Sequence, residues 1–187
     1  NVNIPKGELG CMLSHYFVLK ETMNNCDLVP NDYVLIFEDD VFFTDYDTNK
    51  YFEHIENFIK SNEMDFVFVS GRWNQHFVPR TLNFFERKSK HFFKRIDGNG
   101  HDWDRCAPAY ICTKMGAQRM YLKILSYFNN TKQWIAIDNL YSKSDNNMAI
   151  YDFFPHIYYS RPDYQTDIQG KHLKNKINSH DIIFNQS

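Results

Sequence analysis

Three consecutive carboxylates are the sharpest chemical signal in this sequence. Glu38, Asp39 and Asp40 directly follow the apolar run 33–37, which is typical of a buried strand. In an open α/β sheet, ligands bind at the carboxyl ends of the strands. On an extended chain Glu38 and Asp40 would share one face, so two hard oxygen ligands could converge on Mg²⁺ or Mn²⁺. A solvated acidic turn is the alternative interpretation.

Other acidic positions could contribute to a site. Asp138 lies where an apolar stretch passes into a helix, so it could cap that helix or act as a general base toward an attacking hydroxyl. Asp102 and Asp104 flank Trp103, which is typical either of a surface turn or of an acceptor-binding loop with the indole as a stacking platform for a sugar. An EF-hand is excluded, because Asp102 and Pro108 occupy the positions that require Gly and Glu.

The histidines and cysteines follow none of the common catalytic spacings. The 8 histidines form no HxxxH or HExxH pattern and the 4 cysteines form no CxxC pair, so a zinc hydrolase is not indicated. We expect reduced, mostly buried thiols, with a disulfide between Cys11 and Cys26 or between Cys106 and Cys112 as the open alternatives. The absence of GxSxG and GxxxxGK[ST] argues against α/β hydrolases and P-loop nucleotidases.

Apolar periodicity predicts the elements that must position these groups. Helical spacing covers residues 7–24, 47–60, 114–128 and 136–142, and runs of strand formers cover 33–37, 65–71, 107–113 and 148–153. This alternation predicts an α/β layered domain of Rossmann type with a mixed, largely parallel sheet. We expect residues 72–106 to form a long irregular insert and residues 155–187 an irregular C-terminal wrap.

Length, composition and charge fit one globular domain. The 187 residues carry a net charge of −2 with acidic and basic residues interspersed, so no basic face is available for nucleic acid. No apolar run approaches the roughly 20 residues that span a bilayer, and no signal peptide is visible. We therefore expect no transmembrane segment and a cytoplasmic location. Because the chain begins shortly before a helix, we expect a single domain over residues 1–187 that is N-terminally incomplete and lacks its first strand.

Five segments in order carry a resemblance to a known family. They are residues 7–15 (GELGCMLSH), 35–41 (LIFEDDV), 109–117 (AYICTKMGA), 137–140 (IDNL) and 155–168. Together they resemble glycosyltransferase family 25, which includes lipopolysaccharide galactosyltransferases and collagen hydroxylysine galactosyltransferases. The resemblance implies a GT-A fold, a nucleotide-sugar donor, a divalent metal and an inverting transfer to a hydroxyl acceptor.

The resemblance also implies roles for individual residues. Glu38 and Asp40 match the acidic motif that binds Mn²⁺ or Mg²⁺, and Asp39 between them would meet the donor ribose or a metal-bound water. Asp138 falls where inverting GT-A enzymes place their general base. The residues implied to shape the donor pocket are Glu8, Ser14 and His15.

These observations predict a metal-dependent glycosyltransferase. It would move galactose or glucose from a UDP-sugar to a hydroxyl acceptor on a glycan or a hydroxylysine-type residue. Residues 72–106 show no family pattern, and we expect acceptor choice to lie there. The alternatives are a non-catalytic GT-A-like module that binds a glycan or a protein, and a metal-dependent phosphotransfer enzyme that uses the same acidic strand end.

Overall fold

Helices and strands alternate along the chain in a computed structural model that describes residues 4–43, 48–61, 63–71, 85–95, 108–142 and 148–160. The helices are α1 (Lys6–Asn24), α2 (Thr48–Ser61), α3 (Lys114–Thr131) and α4 (Ile137–Ser142). The strands are β1 (Tyr33–Phe37), β2 (Val41–Phe43), β3 (Phe66–Phe68), β4 (Ser70–Gly71), β5 (Phe85–Arg87), β6 (Phe92–Arg95), β7 (Ala109–Thr113), β8 (Ile150–Phe153) and β9 (Tyr158–Ser160). None of these helices is long and apolar enough to cross a bilayer.

A six-stranded mixed sheet with the order β1-β7-β3-β8-β6-β5 forms the centre of the fold. Strand β7 is antiparallel to both β1 and β3, and β3 is parallel to β8. Strands β1, β3 and β8 therefore run in one direction, and their carboxyl ends meet at one edge beside the start of β7. The layered α/β class and the mixed sheet are confirmed.

The expectation of a largely parallel sheet needs correction. Within the described strands of this sheet, β3 with β8 is the one parallel pair. The apolar runs misled because a strand covered on both faces is continuously apolar whether its neighbours run parallel or antiparallel. Strand direction depends on the connections between strands, which periodicity does not report.

Two regions expected to be irregular contain strands. Strands β5 and β6 form an antiparallel hairpin inside the insert 72–106 and extend the six-stranded sheet through β8. Strand β9 lies in the C-terminal tail and joins β2 and β4 in a second, three-stranded sheet. The remainder of the insert and the tail from residue 161 lie outside the described residues.

Side chains of the central strands alternate between two apolar layers. Phe66, Phe68 and Tyr110 pack in the layer that includes residues of α1 and α3, whereas Val67 and Ile111 pack in the layer that includes residues of α2. All of them are at most 1% exposed. Each large apolar side chain buried in this way stabilises the fold by about 1.5–3 kcal/mol relative to exposure. Helices therefore cover the sheet on both faces, as the continuous apolar runs require.

Helix α1 presents a mixed face to this core. Met12 and Leu19 are fully buried, and His15 is 4% exposed between them, whereas Phe17 is 54% exposed. The helix predicted over residues 7–24 is confirmed, but its apolar and polar residues are less cleanly separated than expected, since a histidine is buried and Phe17 is exposed. A buried imidazole has to be hydrogen-bonded, and its partners lie at the carboxyl edge of the sheet.

We predict that Gly116→Ala destabilises the fold. Gly116 lies in the first turn of α3, and a Cβ there would approach the Asp65 backbone to within 2.8 Å of its Cα and closer still to its carbonyl oxygen. Forcing the helix away from β3 should cost about 1–3 kcal/mol of unfolding free energy in urea titrations.

Gly10→Ala is the matched control, because Gly10 also lies inside a helix and a Cβ there meets nothing within 4 Å. It should be neutral or stabilising by about 0.5–1 kcal/mol. Equal stabilities for the two alanine variants would contradict the close approach of α3 to β3.

Candidate active site

The acidic run lies in a turn directly after β1. The Glu38 N–H donates to the Pro108 carbonyl at 2.8 Å, and the Val41 N–H donates to the Glu38 carbonyl at 3.4 Å. Asp39 is exposed, Glu38 is half-buried and Asp40 is 8% exposed. The chain turns here instead of staying extended, yet the two outer carboxylates are withdrawn from solvent and the middle one faces it.

His15 connects this turn to the core. Its Nε2 lies 3.0 Å from Glu38 Oε1, and its Nδ1 lies 2.8 Å from the hydroxyl of Tyr110. An ionised Glu38 can only accept, so Nε2 carries a hydrogen in this arrangement. Burial raises the pKa of Tyr110 well above its usual range, so this phenol stays neutral and can donate to Nδ1. The imidazole is thus oriented from both sides.

Cys11 lies one helical turn before His15 and faces the same carboxylate. Its thiol donates to Glu38 Oε1 at 3.5 Å. Burial raises the pKa of this thiol, and the charges of Glu38, Asp138 and Asp40 raise it further. Cys11 is therefore a neutral thiol, and its surroundings are strongly negative.

Asp138 belongs to the same neighbourhood. It is half-buried in the first turn of α4, inside the helix and not at the N-cap position. Its charge contributes to the raised pKa values of Cys11 and Tyr141. The structure therefore places Asp138 within electrostatic reach of Cys11, which contacts Glu38, although 98 residues of sequence separate Asp40 from Asp138 (138 − 40).

Asp40 is the most unusual group of the cluster. Burial raises the pKa of its carboxyl, and so do the charges of Glu38 and Asp39, while a hydrogen bond from its own backbone N–H lowers it. Its Oδ1 is buried without a hydrogen-bond partner among the described residues. A buried carboxylate oxygen in this state is costly unless a cation or a proton compensates it.

No lysine or arginine of the described residues forms an ion pair with Glu38 or Asp40. Ion pairs with lysine or arginine are seen, within the described part of the chain, at Glu56, Glu86, Asp65 and Asp152. The carboxylates after β1 are left with His15 as their one basic neighbour in this part of the chain. Hard carboxylate oxygens with this excess of negative charge fit a hard divalent cation such as Mn²⁺ or Mg²⁺.

The remaining predicted site residues have no observed contact with the carboxylate cluster among the described residues. Glu8 is half-buried in the first turn of α1. Ser14 is exposed, and its hydroxyl donates to the Gly10 carbonyl of its own helix at 3.0 Å, so the side chain is not drawn into the carboxylate cluster. Three predicted residues lie outside the described part of the chain: Asp102, Trp103 and Asp104.

Sequence reasoning missed two members of the cluster. Cys11 had a usable signal, because it lies four residues before His15 and an i, i+4 pair shares one helix face. Tyr110 had none, since its partner His15 is 95 residues away and the tyrosine lies within an apolar strand. A CxxxH spacing was the pattern to search for beside HxxxH and CxxC.

The family profile described as glycosyltransferase family 25 (LPS biosynthesis protein) matches residues 1–141, which include the acidic turn, the CxxxH helix and Asp138. The chain belongs to glycosyltransferase family 25. It is thus a glycosyltransferase, and the carboxylate cluster at the sheet edge lies within the matched region. No curated protein matches the chain at a significant level.

We predict that Asp40→Asn stabilises this glycosyltransferase at neutral pH in the absence of metal. A carboxyl whose pKa is higher in the folded state binds its proton more tightly there, so wild-type stability falls as pH rises from the unfolded value, 3.8, through the folded pKa. Asparagine cannot ionise and escapes this loss. Urea unfolding in EDTA should show the variant to be more stable at pH 7, with the difference vanishing toward pH 3.

Asp27→Asn is the control, because Asp27 is an exposed carboxylate beyond the other end of α1. It should follow the wild type across the same pH range. An Asp40→Asn variant with the wild-type pH slope would show that the carboxylate is not held at an electrostatic cost.

Proposed function

We propose that this family 25 glycosyltransferase is a metal-dependent inverting hexosyltransferase. It would transfer galactose or glucose from a UDP-sugar to a hydroxyl acceptor. The observation that carries this proposal is the buried, unpartnered Oδ1 of Asp40 beside Glu38, in a turn that no lysine or arginine of the described residues neutralises. Such a turn is suited to a cation, and a cation is what a nucleotide diphosphate needs in order to bind and to leave.

We assign different roles to the three residues of the turn according to how exposed each side chain is. Glu38 and Asp40 would hold Mn²⁺ or Mg²⁺, and the exposed Asp39 would contact the donor ribose or a metal-bound water. When bound, the cation would neutralise the charge that develops on the departing diphosphate. His15 would keep Glu38 in place from behind, since its ring is hydrogen-bonded on both sides.

Asp138 would act as the general base. It would accept the proton of the acceptor hydroxyl while the oxygen forms its bond to the sugar C1 and the bond from C1 to the diphosphate oxygen breaks. This single displacement inverts the configuration at C1. The position of Asp138 near Cys11, which contacts the acidic turn, supports this role. A general base has to lie close to the donor sugar, because the acceptor hydroxyl must reach both groups at once.

The fold type that we propose for this enzyme is GT-A. Strands β1, β3 and β8 run in one direction with β7 reversed between β1 and β3, and this arrangement is consistent with a GT-A domain.

A saccharide hydroxyl of lipopolysaccharide is the acceptor class we favour, because the family description names this pathway. Trp103, with Asp102 and Asp104, would supply the acceptor platform, and Glu8 and Ser14 would contribute to the donor pocket.

We predict that Mn²⁺ makes the protein bind a UDP-sugar. A ligand at 100 times its dissociation constant adds about 2.7 kcal/mol to the free energy of unfolding, so the thermal midpoint should rise with Mn²⁺ plus UDP-galactose or UDP-glucose. Asp40→Asn should lose this rise and lower turnover by at least about 100-fold, a size typical for the loss of an electrostatic stabiliser. Asp27→Asn should keep both.

A midpoint that no nucleotide sugar raises with Mn²⁺ would contradict the donor site. Full turnover in Asp40→Asn would contradict the metal assignment even if the donor binds.

We predict that Asp138→Asn separates catalysis from donor binding. Loss of a general base should lower kcat by about 10²–10⁴-fold, because the attacking hydroxyl must then lose its proton unaided. The Mn²⁺-dependent rise in thermal midpoint should persist, since Asp138 is not assigned to the metal. Asp138→Glu keeps a carboxylate and should retain part of kcat. Wild-type kcat in Asp138→Asn would remove this residue from the reaction.

A further inference from the structure

We propose that Cys11, His15 and Glu38 form a zinc-binding site at the carboxyl edge of the sheet. The cluster offers one sulfur, one nitrogen and one oxygen ligand atom, all within 4.8 Å of one another. This ligand set differs in kind from the carboxylates assigned to the donor cation. Thiolate and imidazole favour Zn²⁺ over Mn²⁺ or Mg²⁺, which prefer oxygen.

Two of the three ligand separations are close to those of tetrahedral coordination, and the third, between the Cys11 sulfur and the His15 nitrogen, is within 4.8 Å. Zn–S and Zn–O bonds of about 2.3 and 2.0 Å at a tetrahedral angle place sulfur and oxygen about 3.5 Å apart. The observed separation of Cys11 Sγ and Glu38 Oε1 is 3.5 Å. The 3.0 Å between His15 Nε2 and Glu38 Oε1 has to widen by a few tenths of an ångström, within reach of a half-buried glutamate side chain.

The backbone already positions these ligands. Cys11 and His15 are four residues apart on α1, so both side chains project from one helix face. Glu38 is held by the hydrogen bond from its N–H to the Pro108 carbonyl. Two ligands on a helix and one at a strand end leave the fourth coordination position for a water.

Tyr110 provides the outer contact that a ligating histidine requires. Histidines that bind zinc almost always hydrogen-bond through their second ring nitrogen, which fixes the tautomer and the ring orientation. The hydroxyl of Tyr110 lies 2.8 Å from Nδ1 of His15, and the two rings are stacked with centroids 5.6 Å apart. This phenol is fully buried, so the imidazole has a rigid support.

Charge favours a dication at the same place. Burial raises the pKa of the Cys11 thiol, and the negative charges of Glu38, Asp138 and Asp40 raise it further. The negative potential of these three carboxylates also attracts Zn²⁺. On binding, the Cys11 S–H bond breaks, its proton passes to solvent and the sulfur forms the Zn–S bond. His15 changes tautomer at the same time: its Nε2 proton is lost to solvent and Nδ1 takes up a proton from solvent. The Nε2 lone pair then binds the metal, and the Nδ1–H donates to Tyr110, whose hydroxyl turns from donor to acceptor.

The site has a functional consequence that rests on the proposed function. Glu38 would belong both to the zinc site and to the donor-cation site, and one carboxylate turn cannot serve both ions fully. Zinc would therefore compete with Mn²⁺ and inhibit transfer. Binding itself does not depend on transfer, so it is tested without turnover.

The experiment uses Co²⁺ as a spectroscopic probe of the full chain, after removal of bound metal with EDTA. Wild-type protein should bind one Co²⁺ per chain with d–d bands of a tetrahedral site and a near-ultraviolet band from thiolate-to-cobalt charge transfer. Added Zn²⁺ should remove both. Cys11→Ser should lose the charge-transfer band, whereas Cys26→Ser, which changes an exposed cysteine, should keep it.

Two further measurements guard against a variant that does not fold. Tyr110→Phe should weaken Co²⁺ binding by about 10–100-fold, the usual cost of removing an outer-shell partner. In the wild type, Zn²⁺ should protect Cys11 but not Cys26 from alkylation, as mapped by mass spectrometry. The proposal is overturned if the wild type shows no charge-transfer band, if the band persists in Cys11→Ser, or if zinc leaves Cys11 alkylation unchanged. Each of these outcomes would leave the proposed transfer reaction untouched.

Discussion

Negative charge that is taken out of water with no lysine or arginine partner among the described residues is the constraint on which this end of the molecule depends. Asp40 is 8% exposed, and Glu38 and Asp39 are its immediate neighbours. Unfavourable electrostatics of this kind persist only where packing elsewhere offsets them. Here the two apolar layers on either side of the central strands do so, because their residues are almost completely buried. The fold thus maintains a cluster of carboxylates that is only partly exposed to solvent.

The reversed strand β7 explains why the cluster contains a core tyrosine. Because β7 is antiparallel to β1, its first residues lie beside the last residues of β1, with Phe37 opposite Ala109. Tyr110 is the second residue of β7 and therefore lies within reach of His15 on α1. Had β7 run parallel to β1, the same residue would lie at the opposite edge of the sheet. Strand direction, more than sequence proximity, assembles the site.

Elements with strong local sequence signals were predicted correctly from the sequence. The strand 33–37 was predicted with the bounds that the structure shows, since five strand formers end abruptly in charge. Helices α1 and α3 were recovered to within a few residues from their apolar spacing. The acidic turn was recognised as a candidate site because ligands bind at the carboxyl ends of strands in an open α/β sheet.

What failed were features that depend on distant partners. Strands β2, β5 and β9 have three residues each, too short for an alternating pattern to emerge. The antiparallel setting of β7 depends on how the chain returns to the sheet, which no local pattern encodes. The bridge from His15 to Tyr110 spans 95 residues and joins a helix to a strand interior. Such contacts become visible only when the elements are placed in space.

Position 110 in the core requires a hydrogen-bonding hydroxyl as well as a side chain of the right shape. By burial alone, Tyr110 would be counted among residues that only fill volume. Yet its oxygen is linked through one imidazole to Glu38 in the acidic turn. A library that repacks the interior with aromatic side chains of equal size could preserve the fold and still remove the hydrogen bond that orients His15. Directed evolution toward a more heat-resistant enzyme should therefore hold position 110 fixed together with His15 and the acidic turn.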